Sequence, residues 1–140
     1  MTGKEVGKYI RSLVPKKGSK YLSPSSPEWI KIREDFKRIF WHILDQEREI
    51  DKEKPVPKSK RHIHEITIYS GFEINVVYGR DCWDYDNVTY TIASIEDEGK
   101  KKISRMLNLR LKYLEKEQEE LLIRIGKNDA EIDEIKKRIN

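Results

Sequence analysis

The chain has 140 residues, 36% hydrophobic and 39% charged, and a formal net charge of +4. This length suits one domain, or one small domain with an appended helix, and the high charge favours a long surface helix or an oligomer. The single cysteine, Cys82, excludes an intrachain disulfide. No long apolar run and no signal-peptide pattern occurs, so we expect a soluble, cytoplasmic protein with no membrane contact.

Two amphipathic helices are predicted in the first third of the chain. Thr2 and Glu5 fit a capping box that starts a helix over residues 2–14, which Pro15 ends. Ser26 and a following proline start a second helix over residues 27–50. Its apolar stripe predicts the main core helix, and consists of Trp29, Ile32, Phe36, Ile39, Phe40, Ile43 and Leu44.

Between about residues 62 and 95 the apolar period changes to two, which predicts a three-stranded antiparallel sheet. A three-residue loop at 69–71 would place Ile68 opposite Phe72, with Gly71 in the left-handed conformation. The predicted class is therefore α+β, with the N-terminal helices packed on the sheet. We assign residues 1–98 to this domain.

The stretch Gly-Arg-Asp-Cys-Trp-Asp-Tyr-Asp-Asn at 79–87 concentrates aspartates and aromatic residues in a basic protein. Pairing Cys82 with Val88 would make residues 83–87 a five-residue hairpin tip, followed by a third strand over 88–95. Aspartate and asparagine suit turns, but tryptophan and tyrosine are typical of binding hot spots. We therefore predict a partner- or ligand-binding loop made of Trp83, Asp84, Tyr85, Asp86 and Asn87.

Residues 99–140 are predicted to form a long coiled-coil helix for oligomerisation. Apolar and neutral residues alternate three and four apart over about four to five heptads. Complementary flanking charges, Arg124 with Asp129 among them, favour a parallel homodimer. The alternative is a helix that ends at Gly126, with the tail folded back. The apolar seam consists of Leu107, Leu111, Leu114, Leu121, Ile125, Ile132, Ile135 and Ile139.

No sequence motif for a cofactor or a known catalytic mechanism occurs, so a non-enzymatic protein without cofactors is predicted. His62 and His64 would share one face of a strand, but a zinc site needs further ligands, for which Cys82 is a candidate. We predict no metal. The remaining enzymatic alternative is a metal-dependent nuclease whose carboxylates are Asp81, Asp84 and Asp86.

The charge is uneven along the chain. Residues 1–61 hold 16 Lys/Arg against 9 Asp/Glu, a balance of +7, and the remainder is acidic. A basic half attracts phosphate, so we predict a dimeric accessory or regulatory protein that associates with nucleic acid or a nucleoprotein. The alternative is a phage or mobile-element antagonist that sequesters a host protein or a phosphorylated ligand through the 83–87 loop. The predicted phosphate-binding residues are Lys4, Lys8, Arg11, Lys16, Lys17, Lys20, Lys58, Lys60 and Arg61.

Overall fold

The computed structural model describes residues 1–80 and 83–139. It confirms the α+β class and the long C-terminal helix, but the sheet has four antiparallel strands in the order β1-β2-β3-β4, not three. The elements in chain order are α1 (Gly3–Leu13), β1 (Ser19–Leu22), α2 (Pro27–Ile50), a 3-10 turn (Lys58–Lys60), β2 (Ile63–Tyr69), β3 (Glu73–Gly79), β4 (Tyr85–Thr91), α3 (Ile92–Glu96) and α4 (Lys100–Ile139). The chain divides into two compact units, Met1–Ser104 and Arg105–Asn140.

Local capping fixes where α1 and α2 begin. The Thr2 hydroxyl accepts a hydrogen bond from the Glu5 backbone N–H, and the Glu5 carboxylate accepts one from the Thr2 N–H, each at 3.3 Å. At α2 the Ser26 hydroxyl accepts a hydrogen bond from the Trp29 N–H at 3.3 Å. These bonds satisfy donors that a helix start leaves without partners, which confirms both predicted helices.

The core lies between α2 and one face of the sheet. All seven residues of the predicted α2 stripe are buried. The Phe40 ring lies 5.5 Å from the Tyr78 ring and 6.0 Å from the Tyr90 ring, centroid to centroid. Burial of one such side chain contributes about 1.5–3 kcal/mol, so the α2–sheet contact is a main source of stability in this unit.

Two glycines allow α1 to approach α3 closely. A Cβ at Gly3 would lie 2.8 Å from the Ile95 carbonyl oxygen and 2.7 Å from Glu98 Cγ. A Cβ at Gly7 would clash with the Glu96 side chain. Arg11 closes the contact because its Nε donates to the Glu96 carboxylate at 2.9 Å. Residues far apart in the chain therefore fix this helix pair.

The β2–β3 hairpin differs from the predicted one. Ile68 pairs with Ile74, and the loop consists of residues 70–72. Phe72, with φ of 60°, takes the left-handed position that was predicted for Gly71. A shift of two residues keeps every side chain on its face, so the apolar period does not distinguish the two registers. The observed register pairs buried Ile68 with buried Ile74 and leaves Phe72 half exposed.

The predictions for β1 and β4 also need correction. β1, which pairs with β2, lies in a segment where no strand was predicted. β4 begins at Tyr85 and ends at Thr91, whereas the predicted third strand runs from 88 to 95. Thr91 ends the strand because its hydroxyl accepts a hydrogen bond from the Ser94 N–H at 3.1 Å and caps α3. Ile92 thereby becomes the first residue of a helix and is buried.

Helix α4 runs without interruption through Gly126. This observation favours the continuous helix over the folded-back tail. Within residues 105–139 no side chain is buried. None of the helices in the described ranges is both long and apolar enough to span a membrane.

Candidate functional site

The turn between β3 and β4 begins earlier in the chain than predicted. Val88 pairs with Val76, and the Arg80 N–H donates to the Asp84 carbonyl at 3.0 Å. The last pair of the two strands is Gly79 with Tyr85, and residues 85–87 belong to β4, so the predicted tip at 83–87 is wrong. Asp81 and Cys82, and with them the predicted Cys82–Val88 pair, lie outside the described residues.

Gly79 permits this turn. Its φ of +142° is rarely adopted by other residues, and a Cβ here would lie 2.7 Å from the Tyr85 Cα. Of the predicted loop residues, Tyr85, Asp86 and Asn87 belong to β4, while Trp83 and Asp84 lie in the turn. The Trp83 side chain is 91% exposed, and all five residues are on the surface. Their binding role stays a prediction.

A small groove of about 170 Å³ lies on the inner side of this turn. Lys60 Nζ forms an ion pair with Asp84 Oδ2 across it, at 2.8 Å. Burial, and then the Asp86 carboxylate, raise the pKa of Tyr78 above the ordinary tyrosine value. The lining also includes Arg48, Val56, Pro57, Gly79 and Tyr85. Cations and carboxylates thus already neutralise each other here, which makes the groove a weak site for a charged ligand.

A larger depression of about 550 Å³ lies at the sheet. It is lined by Tyr21 of β1, His64 and Glu65 of β2, Val77 of β3 and Tyr85 of β4, so all four strands contribute to it. Of these residues, sequence reasoning identified His64 only as a metal candidate and Tyr85 only as a loop residue. Tyr21, Glu65 and Val77 were missed. The positions that alternate with the buried residues of β2 and β3 are the signal that could have found Glu65 and Val77.

The two histidines do not share a strand as predicted. His62 precedes β2 and is exposed, whereas His64 lies in β2. His64 Nε2 lies 2.8 Å from the Gly79 carbonyl oxygen, which can only accept a hydrogen bond, so this nitrogen donates. Among residues 1–80 and 83–139, no three His, Cys, Asp or Glu side chains are grouped as metal ligands. Asp81 of the predicted nuclease carboxylates lies outside these ranges, so that alternative is untested.

Three of the nine predicted phosphate-binding residues form ion pairs within the protein. Arg11 pairs with Glu96, and the hydrogen bond between them raises the pKa of the arginine. Lys60 pairs with Asp84, as described above. Arg61 donates to both carboxylate oxygens of Asp45, at 3.0 and 2.8 Å, and its guanidinium lies 5.0 Å from the centroid of the Trp41 ring.

The other six predicted residues are lysines with no ion pair to a described residue. They do not form one surface. Gly18, next to Lys17, accepts a hydrogen bond from Ser70 at one end of β2, whereas Lys60, near Lys58, lies at the other end. Seven residues of strand separate the two ends by about 20 Å. Lys4, Lys8, Lys16, Lys17 and Lys20 lie on α1 or in the segment that follows it, and we call them the α1–β1 lysines.

The predicted seam of α4 is fully available to a partner. Its eight apolar residues are each 45–78% exposed. Because an α-helix turns 100° per residue, positions three and four apart lie on one side. This stripe therefore places eight exposed apolar side chains along one side of the helix.

Comparisons with known proteins were made for the sequence and for the fold. No protein-family model matches the chain, and no curated protein or solved structure matches it either.

Proposed function

We propose that the protein is a non-enzymatic homodimer that associates with nucleic acid or a nucleoprotein. The observation that carries the dimer is the apolar seam of α4, because no residue in 105–139 is buried. In proteins, packing of an apolar face supplies most of the stability of a helix. A second copy of α4 would bury this seam.

The charges that flank the seam support a parallel pairing. In a parallel dimer Arg110 lies next to Glu115 of the second copy. Arg124 then lies next to Asp129, and Glu131 next to Lys136. All three pairs are attractive. The two polar seam positions, Gln118 and Asn128, face their own equivalents, so neither is buried against leucine.

An antiparallel pairing is less favourable in the two registers nearest full overlap. In the register that matches Gln118 with Asn128, Glu117 faces Glu131 and Arg124 faces its own equivalent, and both contacts are repulsive. In the antiparallel register shifted by one heptad, the charged residues that flank the seam attract each other, but Asn128 lies opposite Leu111. Only the parallel dimer satisfies both the polar layers and the flanking charges.

The α1–β1 lysines support contact with phosphate groups. All but Lys20, which is half-buried, are exposed, and their ammonium groups have no ion pair within the described residues. Phosphate contacts of this kind supply affinity without sequence specificity. A dimer carries two such sets of lysines, and the effective concentration of the second raises the affinity for a long polyanion.

The dimer is tested by substituting one seam residue. We expect light scattering on the wild type to give twice the chain mass of 16.7 kDa at micromolar concentration. Leu121→Lys should give a monomer because it places a charge in the seam. Ile123→Lys is the matched control, since Ile123 is similarly exposed but lies outside the seam. A monomeric wild type would contradict the proposal.

Nucleic-acid binding is tested separately with single- and double-stranded oligonucleotides in graded salt. Substituting Lys16, Lys17 and Lys20 with glutamate should weaken binding and flatten the salt dependence, because the slope falls by about 0.9 for each duplex phosphate that a lysine no longer neutralises. The control carries the same charge change on α4, outside the seam and its flanks, at Lys116, Lys127 and Lys137. If no oligonucleotide binds at low salt, this half of the proposal is wrong while the dimer stands.

A further inference from the structure

The large depression at the sheet has the composition of a cation site. We call it the sheet-face pocket, defined by its lining residues Tyr21, His64, Glu65, Val77 and Tyr85. Val77 pairs directly with Glu65 across β2 and β3. The side chains of Tyr21 and Tyr85 are each about half exposed. No lysine or arginine of the described residues lines the pocket.

The carboxylate of Glu65 is the decisive group. The Glu65 residue is exposed, and its side chain forms no ion pair or hydrogen bond with any residue in the described ranges. In the inner groove, by contrast, Asp84 has Lys60 as its cation. The electron-rich face of a tyrosine ring attracts cations, and a carboxylate adds a hydrogen-bonding counter-charge. Phosphate would be repelled here, so this pocket does not fit the ligand proposed for the α1–β1 lysines.

We propose that the sheet-face pocket binds an arginine side chain from a basic segment of a partner protein. A guanidinium stacks on aromatic rings and matches a carboxylate with two parallel hydrogen bonds, which a lysine ammonium cannot do. The pocket volume of about 550 Å³ exceeds one side chain and leaves room for flanking residues. This inference uses neither the lysines nor α4, so it succeeds or fails independently of the proposed function.

The test uses a blocked arginine amide as the probe and blocked citrulline amide, its uncharged isostere, as the matched ligand. Backbone amide signals of the ¹⁵N-labelled full chain are followed by NMR during titration. We expect arginine at millimolar concentration to shift the signals of Glu65, Val77 and Tyr85. Citrulline should bind at least about fivefold more weakly, a difference that corresponds to a cation–π contact of roughly 1 kcal/mol.

Variants within the sheet supply the controls. Glu65→Gln and Tyr85→Leu should each weaken arginine binding by about threefold or more. Tyr69 and Glu73 pair with each other at the other end of β2 and β3 and have the same chemistry. Tyr69→Leu and Glu73→Gln should therefore leave binding unchanged. The NMR spectrum of each variant reports directly whether it is folded.

Three results would overturn the inference. Equal binding of arginine and citrulline would show that charge plays no part. Equal effects of the Glu65 and Glu73 substitutions would show that the pocket is not the site. A single-stranded oligonucleotide that shifts the same signals when arginine does not would assign this face to nucleic acid.

Discussion

Reversing one flanking charge on α4 distinguishes a parallel from an antiparallel dimer, because the reversal should weaken dimerisation in the first case and strengthen it in the second. In the parallel dimer, Asp129→Arg places two arginines together at each of two symmetric contacts with Arg124. Each exposed pair contributes about 0.3–0.5 kcal/mol, and reversal replaces attraction with similar repulsion. The free energy of dimerisation should become less favourable by about 1.6 kcal/mol, which corresponds to a roughly 15-fold larger dissociation constant.

The same substitution would strengthen the antiparallel register that matches the polar layers, because there Asp129 faces Glu115 of the second copy. The substitution should also stabilise the α4 helix of each single chain, since the introduced guanidinium would lie four residues before Asp133. A weaker dimer therefore cannot result from a weaker helix.

The measurement is sedimentation equilibrium at low ionic strength, where surface pairs are least screened. Adding Arg124→Glu to Asp129→Arg should restore most of the affinity. Asp133→Arg makes the same charge change outside the flanking positions and should have little effect. If Asp129→Arg strengthens the dimer, the parallel orientation is wrong; if it has no effect, the flanking charges do not select the partner.

Three further predictions concern stability, measured by thermal or denaturant unfolding. Gly126→Ala should stabilise α4 by about 1 kcal/mol, since glycine is a poor helix former and a Cβ there meets no atom within 4 Å; destabilisation would indicate a helix end at this residue. Gly71→Ala should be neutral or stabilise by about 0.4–1 kcal/mol, whereas Gly79→Ala should destabilise the protein more strongly; the reverse order would refute the observed turns. Burial raises the pKa of Tyr90 in the folded state above its unfolded value of about 10. The contribution of the neutral phenol to the free energy of unfolding is therefore complete below about pH 10 and is lost as the pH rises further. Tyr90→Phe should make this alkaline loss of stability smaller, and an unchanged pH profile would contradict this.

Local signals in the sequence determined α1, α2 and the heptads of α4. The Thr2 and Ser26 caps, Pro15 and the apolar stripe of α2 each act within a few residues, so they fix helix bounds without reference to the rest of the chain. The alternation in β2 and β3 likewise determined which side chains point into the core. These features can be predicted from the sequence because each depends on neighbours that are close in sequence.

Tertiary structure alone decided strand register, the fourth strand and the state of the basic residues. A shift of two residues leaves the alternation unchanged, so only packing against the core selects Ile68 opposite Ile74. Arg11 is paired through a contact that spans 85 residues, and the sequence shows only its charge. The sheet-face pocket likewise requires Tyr21 and Tyr85 to come together from the two edge strands of the described sheet. Such contacts depend on how distant segments pack, which the periodicity of any one segment does not encode.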